Sequence, residues 1–155
     1  MPSSTIDTFT DPDAYHASIR DAHAEGIVTG RGAFEAELTK IRLDRLSLQR
    51  SEETLPRVCY SAVDLKCLGI IFAIYPDQQM HINGLELSQS DIIVFRRGSE
   101  GNNRLSTACR WGSIALTHED IAAAGQTRRA RTDRAAGHAS DQTAAASAVA
   151  AIDLN

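Results

Sequence analysis

Residues 81–105, His-Ile-Asn-Gly-Leu-Glu-Leu-Ser-Gln-Ser-Asp-Ile-Ile-Val-Phe-Arg-Arg-Gly-Ser-Glu-Gly-Asn-Asn-Arg-Leu, constrain the fold of this chain more than any other stretch. Asn83-Gly84 accepts positive φ and predicts a tight turn between extended segments. Leu85 and Leu87 share one face and Glu86 and Ser88 the other, the period of a half-buried strand. Ser88-Gln89-Ser90-Asp91 breaks that pattern with turn residues, and Ile92-Ile93-Val94-Phe95 follows as an apolar run. Arg96 to Asn103, with two glycines, reads as a polar loop. Strand, turn, buried strand and glycine loop in succession build the middle of a small antiparallel barrel.

The rest of the chain is long enough to close such a barrel. Its 155 residues make one domain with a core that needs no staples. A net charge of −4 gives no overall pull toward nucleic acid or anionic membrane. Cys59, Cys67 and Cys109 are odd in number and form no Cys-x-x-Cys pair, which fits free thiols in a reducing compartment. The N-terminus has neither a basic nor an apolar leader region, and no apolar run approaches the roughly 18 residues of a membrane span. The expected location is cytoplasmic, with no membrane partner.

Before the barrel, residues 11–25 carry a helix signature. Asp11 suits the N-cap, Pro12 the first turn, and Gly26 the stop, with Tyr15, Ile19 and Ala22 on one face. From Gly30 the period becomes two: Phe34, Ala36 and Leu38 alternate with Glu35, Glu37 and Thr39. The phase shifts at Ile41-Arg42-Leu43 and again at Leu46 and Leu48, which predicts a bulge or short turn near Arg42–Arg45. Ser51 to Thr54 reads as a polar turn, and Val58, Tyr60 and Ala62 alternate with Cys59 and Ser61 in a further strand. Cys67 to Tyr75 is apolar on both faces, so its outer face needs a cover. Cys109 to Leu116 reads as the last strand; Thr117 with Asp120 then caps a helix running to about Ala124.

After Gln126 the composition changes. Residues 126–155 hold no large apolar side chain until Val149, and Arg128, Arg129, Arg131 and Arg134 precede an Ala-rich stretch. Such a segment cannot bury enough surface to offset its ordering entropy, and a disordered tail is expected. No aromatic is interleaved among the arginines for base stacking.

The barrel region shows no catalytic constellation. A metal site on such a barrel needs His-x-His with a nearby Glu on one hairpin and a further His on a later strand. Among His16, His23, His81, His118 and His138, no two lie within four residues of each other. Neither a Gly-x-Ser-x-Gly elbow nor a GxxxxGK[ST] loop is present, and no cysteine has a histidine within a few positions. No metal and no cofactor are expected.

Taken together, Thr29 to Leu38, Leu46-Ser47-Leu48-Gln49-Arg50, the Gly84–Gly98 hairpin and Cys109-Arg110-Trp111-Gly112-Ser113-Ile114 resemble, in content and order, the N-terminal half of AraC-type transcriptional regulators. The resemblance covers residues 8–125. It implies a mainly β, cupin-like antiparallel barrel of jelly-roll type, with a short helix at each end, that binds a small effector or mediates dimerisation. In that family a separate domain with two helix-turn-helix motifs reads DNA. Residues 126–155 lack the apolar spacing of such motifs, so the reading is of a regulator without its own DNA-binding half.

The expected function is therefore a non-catalytic sensor or dimerisation domain, with no direct DNA binding. Tyr60, Phe72, Arg110 and Trp111 are the candidate pocket residues. Its partners would be a small-molecule effector and a second regulator chain, as homodimer or heterodimer. The outer face of 67–75 and the helix at 117–124 would be the contact surfaces, with Ile71 the position to test. The alternative from another class is a small cupin-like enzyme, for which His81 and His118 would have to converge on one cavity.

Overall fold

Backbone pairing sorts the strands into two sheets that face each other across one core. The computed structural model describes residues 2–43, 46–75, 78–123 and 150–151. In chain order these form β1 (Ser3–Phe9), α1 (Pro12–Ser18), β2 (Ala22–Val28), β3 (Ala36–Leu43), β4 (Leu46–Glu53), β5 (Arg57–Val63) and β6 (Cys67–Ala73). The second half adds β7 (Met80–Ile82), β8 (Leu85–Leu87), β9 (Ile92–Phe95), β10 (Glu100–Leu105), β11 (Cys109–Thr117), α2 (118–123) and β12 (Ala150–Ala151). The larger sheet runs β1-β3-β4-β11-β6-β9-β12 and the smaller β2-β5-β10-β7-β8. Neighbours pair antiparallel except β12, which lies parallel to β9. The fold is mainly β, two antiparallel sheets with a short helix before and after the main strands.

Several elements follow their local sequence closely. Asn83 and Gly84 both take positive φ, 51° and 80°, so the β7–β8 hairpin closes in two residues. The Asp91 carboxylate accepts from the Ser88 amide and hydroxyl, which forms the turn into β9. The Asp11 side chain accepts from the Asp13 amide and caps α1, and Thr117 and Asp120 cap each other's amides at the start of α2. Leu38, Ile82 and Leu105 are fully buried between the sheets, each contributing about 1.5–3 kcal/mol of apolar burial.

Other elements depart from their local signals because long-range pairing outweighs them. The helix stops at Ser18 rather than running to 25: Asp21 takes φ 65°, and residues 22–28 pair with β5 instead. Gly26 is thus a strand residue, and a Cβ there would sit 2.5 Å from Cε1 of His16, whose ring fills the space. Ser3–Phe9, without an expected element, is an edge strand on β3. Glu100–Leu105, read as part of a loop, is the central strand of the smaller sheet, between β5 and β7.

The phase of three strands also matters for the site. Ser51 and Glu53, read as a turn, end β4 with their side chains buried. In β5 the buried residues are Arg57 and Cys59, while Val58 is 45% exposed. In β6, Ile71 pairs with buried Ile93 and faces the core; Ile70 is its outward neighbour. The surface expected around Ile71 is therefore carried by Leu68, Ile70 and Phe72. Residues 44 and 45 of the expected turn, and nearly all of the expected tail, lie outside the described residues.

Candidate functional site

The inner side of β4 is polar. Ser47, Gln49, Ser51 and Glu53 alternate inward while Leu46 and Leu48 face out, and the inward groups need partners to be buried. They are supplied from distant parts of the chain. The Glu53 carboxylate accepts from the Tyr15 hydroxyl at 2.7 Å, Nε1 of Trp111 at 2.7 Å and Nη2 of Arg57 at 3.0 Å, with Nε of Arg57 on its other oxygen. The Tyr15 hydroxyl also lies 2.7 Å from Oγ of Ser51. Tyr15, Ser51 and Glu53 are essentially inaccessible to solvent.

Charge states follow from that arrangement. Burial alone would raise the Glu53 carboxyl, but the Arg57 guanidinium and the three donors outweigh it and hold the group below its usual range. Burial would likewise lower Arg57, and Glu53 outweighs it to keep the guanidinium charged. Burial, reinforced by Glu53, pushes Tyr15 well above the ordinary phenol value. The result is a fixed, charge-balanced ion pair under the core.

Above this pair lies a cavity of about 80 Å³ between the sheets. One occupied water sphere needs about 10–15 Å³ on that measure, so the space suits a ligand of a handful of heavy atoms. Its wall is mostly apolar, with Ile71, Met80, Ile82 and Leu105 among the residues around it. Two buried polar atoms on its lining residues have no protein partner: Nη1 of Arg57, and Oδ1 of Asn103, whose amide nitrogen donates to Ser61 at 3.2 Å. A third is Oδ2 of Asp21, in the loop between α1 and β2. Gln49 holds that loop from beneath, accepting from the Arg20 amide and donating to the Arg20 carbonyl, each at 2.9 Å.

Of the four residues expected to line a pocket, the structure brings only Trp111 to the cavity. Tyr60 sits on the other face of β5, in a surface groove with His23 and Glu25. Phe72 packs on the outside of the larger sheet, where a Cβ at Gly112 would meet its ring at 2.5 Å. Arg110 also faces outward, its Cζ 4.4 Å over the Tyr75 ring and its guanidinium on Glu52. The residues missed were Arg57, Asn103, Gln49 and Asp21. Arg57 carried one usable signal, a charged residue in phase with Cys59 and Ser61 on a strand.

His81 and His118 do not converge: His81 pairs with Glu86 in the smaller sheet, and His118 lies beside Leu68 and Arg97 on α2. Among the described residues no three His, Cys, Asp or Glu side chains cluster as metal ligands. Burial pushes the Cys59 thiol up and, with Glu53, moves Cys109 to about 12. No helix among the described residues is long and apolar enough to cross a membrane.

Two facing antiparallel sheets match a solved architecture. The AraC-like transcriptional activator CuxR superposes over 76% of this chain with a TM-score of 0.54 at 12% identity. The fold is cupin-like, two facing antiparallel sheets. It spans 48% of the length of the CuxR chain, about half of that protein. An RmlC-like cupin from Shewanella frigidimarina NCIMB 400 aligns over 63% of this chain and 88% of its own at 10% identity and a TM-score of 0.39. The Schizosaccharomyces pombe Cnp3 cupin domain aligns over 69% of this chain and 89% of its own at 8% identity and a TM-score of 0.44. No protein-family model matches the cupin-fold chain, and no curated protein matches it significantly.

Proposed function

We propose that this cupin-fold chain is a non-catalytic sensor domain of the AraC regulator type, binding a small effector between its two sheets. The observation that carries the reading is the mostly apolar cavity between the two sheets, bordered by Trp111, Met80, Ile82 and Leu105. The likeness in fold to an AraC-like activator supports the regulatory context, and the motif order in the sequence points the same way.

The chemistry around the cavity supports binding over catalysis. Glu53 is committed to three donor residues and stays ionised, so it has no proton to give and no free position for a substrate proton. The Cys59 and Cys109 thiols are held above their usual range, the opposite of what a nucleophile needs. A partner chain, either a second copy or a full-length regulator, would convert the bound state into an output.

The test is a thermal-shift screen of the full chain against a metabolite library, with solution mass measured in parallel. A compound that stabilises the chain saturably, and loses its effect in Trp111→Leu or Ile82→Ala, supports the sensor reading. Turnover of that compound would replace it with the enzyme reading.

A further inference from the structure

The cavity between the sheets also selects the chemistry of its occupant, an inference that deepens the sensor reading above and rests on it. Polar side chains on the strands around the cavity are already engaged with the protein itself. Nε1 of Trp111 donates to Glu53 at 2.7 Å, so the indole is anchored by its one polar atom. The Cys59 thiol donates to the Tyr60 carbonyl at 3.2 Å, and Oγ of Ser61 accepts from the amide nitrogen of Asn103 at 3.2 Å. Gln49 has both ends of its amide on the Arg20 backbone, and its nitrogen also reaches Oγ of Ser113 at 3.4 Å. Arg57 is turned to Glu53.

The polar atoms left over are sealed in. Nη1 of Arg57, Oδ1 of Asn103 and Oδ2 of Asp21 lack a hydrogen-bond partner, yet the protein packs over them so closely that they have essentially no accessible surface. What the cavity presents is mostly apolar surface. Val63, Ile71, Ile82 and Leu105 border it, with Met80, whose flexible thioether adapts to an irregular guest. Arg20 and Asp21 belong to the loop between α1 and β2; Arg20 is exposed, and both also border a separate surface pocket with Ser3 and Lys40.

Apolar cavities inside proteins stay dry and take up guests such as benzene or xenon, because water finds too few partners there. A guest carbonyl or charge gives up its hydration on entering such a space and regains little from a carbon wall. We propose that the cavity takes a compact, uncharged, apolar molecule, a short branched or cyclic hydrocarbon, held by shape and burial rather than by hydrogen bonds.

Isobutene, acetone, acetate and acetamidinium share one planar, three-armed shape and differ in polarity and charge. The full chain can be titrated with each while the methyl signals of Ile71, Met80, Ile82 and Leu105 are followed by NMR, with exposed Ile27 and Leu65 as controls. The expected result is saturable shifts of the inner methyls with isobutene, acetone weaker by about tenfold or more, and no saturable shift with either ion. Gly69→Ala places the guest. Gly69 borders the cavity, and a Cβ there meets Val63 at 3.5 Å, an ordinary contact, so the variant keeps its fold and loses cavity space. It should weaken isobutene by about tenfold.

Equal affinity of wild type and Gly69→Ala would put the guest elsewhere and overturn the assignment, as would shifts confined to Ile27 and Leu65. Acetone, acetate or acetamidinium moving the inner methyls as tightly as isobutene would overturn the ligand class and leave the sensor reading standing. The two ionic probes thereby also test whether Arg20 or Asp21 draws a charge in. No saturable shift with any probe would overturn the ligand class as well, and the metabolite screen then judges the sensor reading on its own.

Discussion

The guanidinium of Arg57 lies on the carboxylate of Glu53 across the turn between β4 and β5, Nη2 3.0 Å from Oε1, and both groups are buried. The same carboxylate receives α1 through Tyr15 and β11 through Trp111. One side chain therefore ties the N-terminal helix, both sheets and the cavity lining into a single network. Breaking it should be felt everywhere at once.

Glu53→Gln tests that network. The variant keeps the shape but leaves Arg57 charged and unpaired, which should cost about 3–5 kcal/mol in chemical denaturation. The pH dependence has a defined sign. Glu53 is depressed in the folded chain, so its contribution is present above the ordinary value near 4.5 and is lost as pH falls through the folded one. The acid limb of the stability curve should be shallower in the variant, and an unchanged limb would remove Glu53 as its source.

His16 and Gly26 form a second coupled pair. Both ring nitrogens of His16 are buried without a protein partner, and burial followed by the Arg57 charge lowers its pKa. The unfolded chain then binds a proton more readily than the folded one. Stability should be complete above the ordinary value near 6.5 and decline as pH falls toward the folded value. His16→Phe should remove that decline. Gly26→Ala should destabilise the wild type, since its Cβ would meet the imidazole, and should cost much less in a His16→Ala background. A double-mutant cycle measures the difference, and simple additivity would show that the two do not interact.

The architecture was more legible than the site, for a physical reason visible in β4. Alternation at residues 46–53 shows that the segment is extended, but period two does not say which face is the inside. Apolar residues normally take the inner face, and here Leu46 and Leu48 face out while Gln49, Ser51 and Glu53 face in. That inversion is stable only because Tyr15, Arg57 and Trp111 arrive from other strands and a helix to satisfy the buried groups. Nothing local to β4 announces them. The hairpin at Asn83-Gly84 and the cap at Thr117-Asp120, by contrast, depend on residues adjacent in sequence, and both were readable. Tyr60 and Phe72 were misplaced for the same reason as β4: their strands were recognised, and their phase was not.

The thiols should report on the integrity of the core. Cys59 and Cys109 are buried and held above the ordinary thiol value. In a thiol-reactive dye assay at pH 8, both should react far more slowly in the native chain than in denaturant. Their native rate should follow global unfolding, rising in Glu53→Gln in proportion to its loss of stability. Rapid labelling of Cys109 in the stable native chain would show that the β11 end of the core opens independently.

Gln49 fastens a loop that borders the cavity. Its amide grips the Arg20 backbone at both ends, and so fixes the loop that carries Asp21. Gln49→Leu keeps the volume but leaves the Arg20 amide and carbonyl to find water, at a cost of about 1–3 kcal/mol if they stay buried. If the loop instead swings outward, the global cost falls toward zero and the loop alone loses protection. Amide hydrogen exchange separates these outcomes. Faster exchange confined to residues 19–22, with β4 and β11 unchanged, is the expected result, together with faster release of any compound bound in the cavity. Uniform loss of protection across both sheets would make Gln49 part of the core rather than the fastening of this one loop.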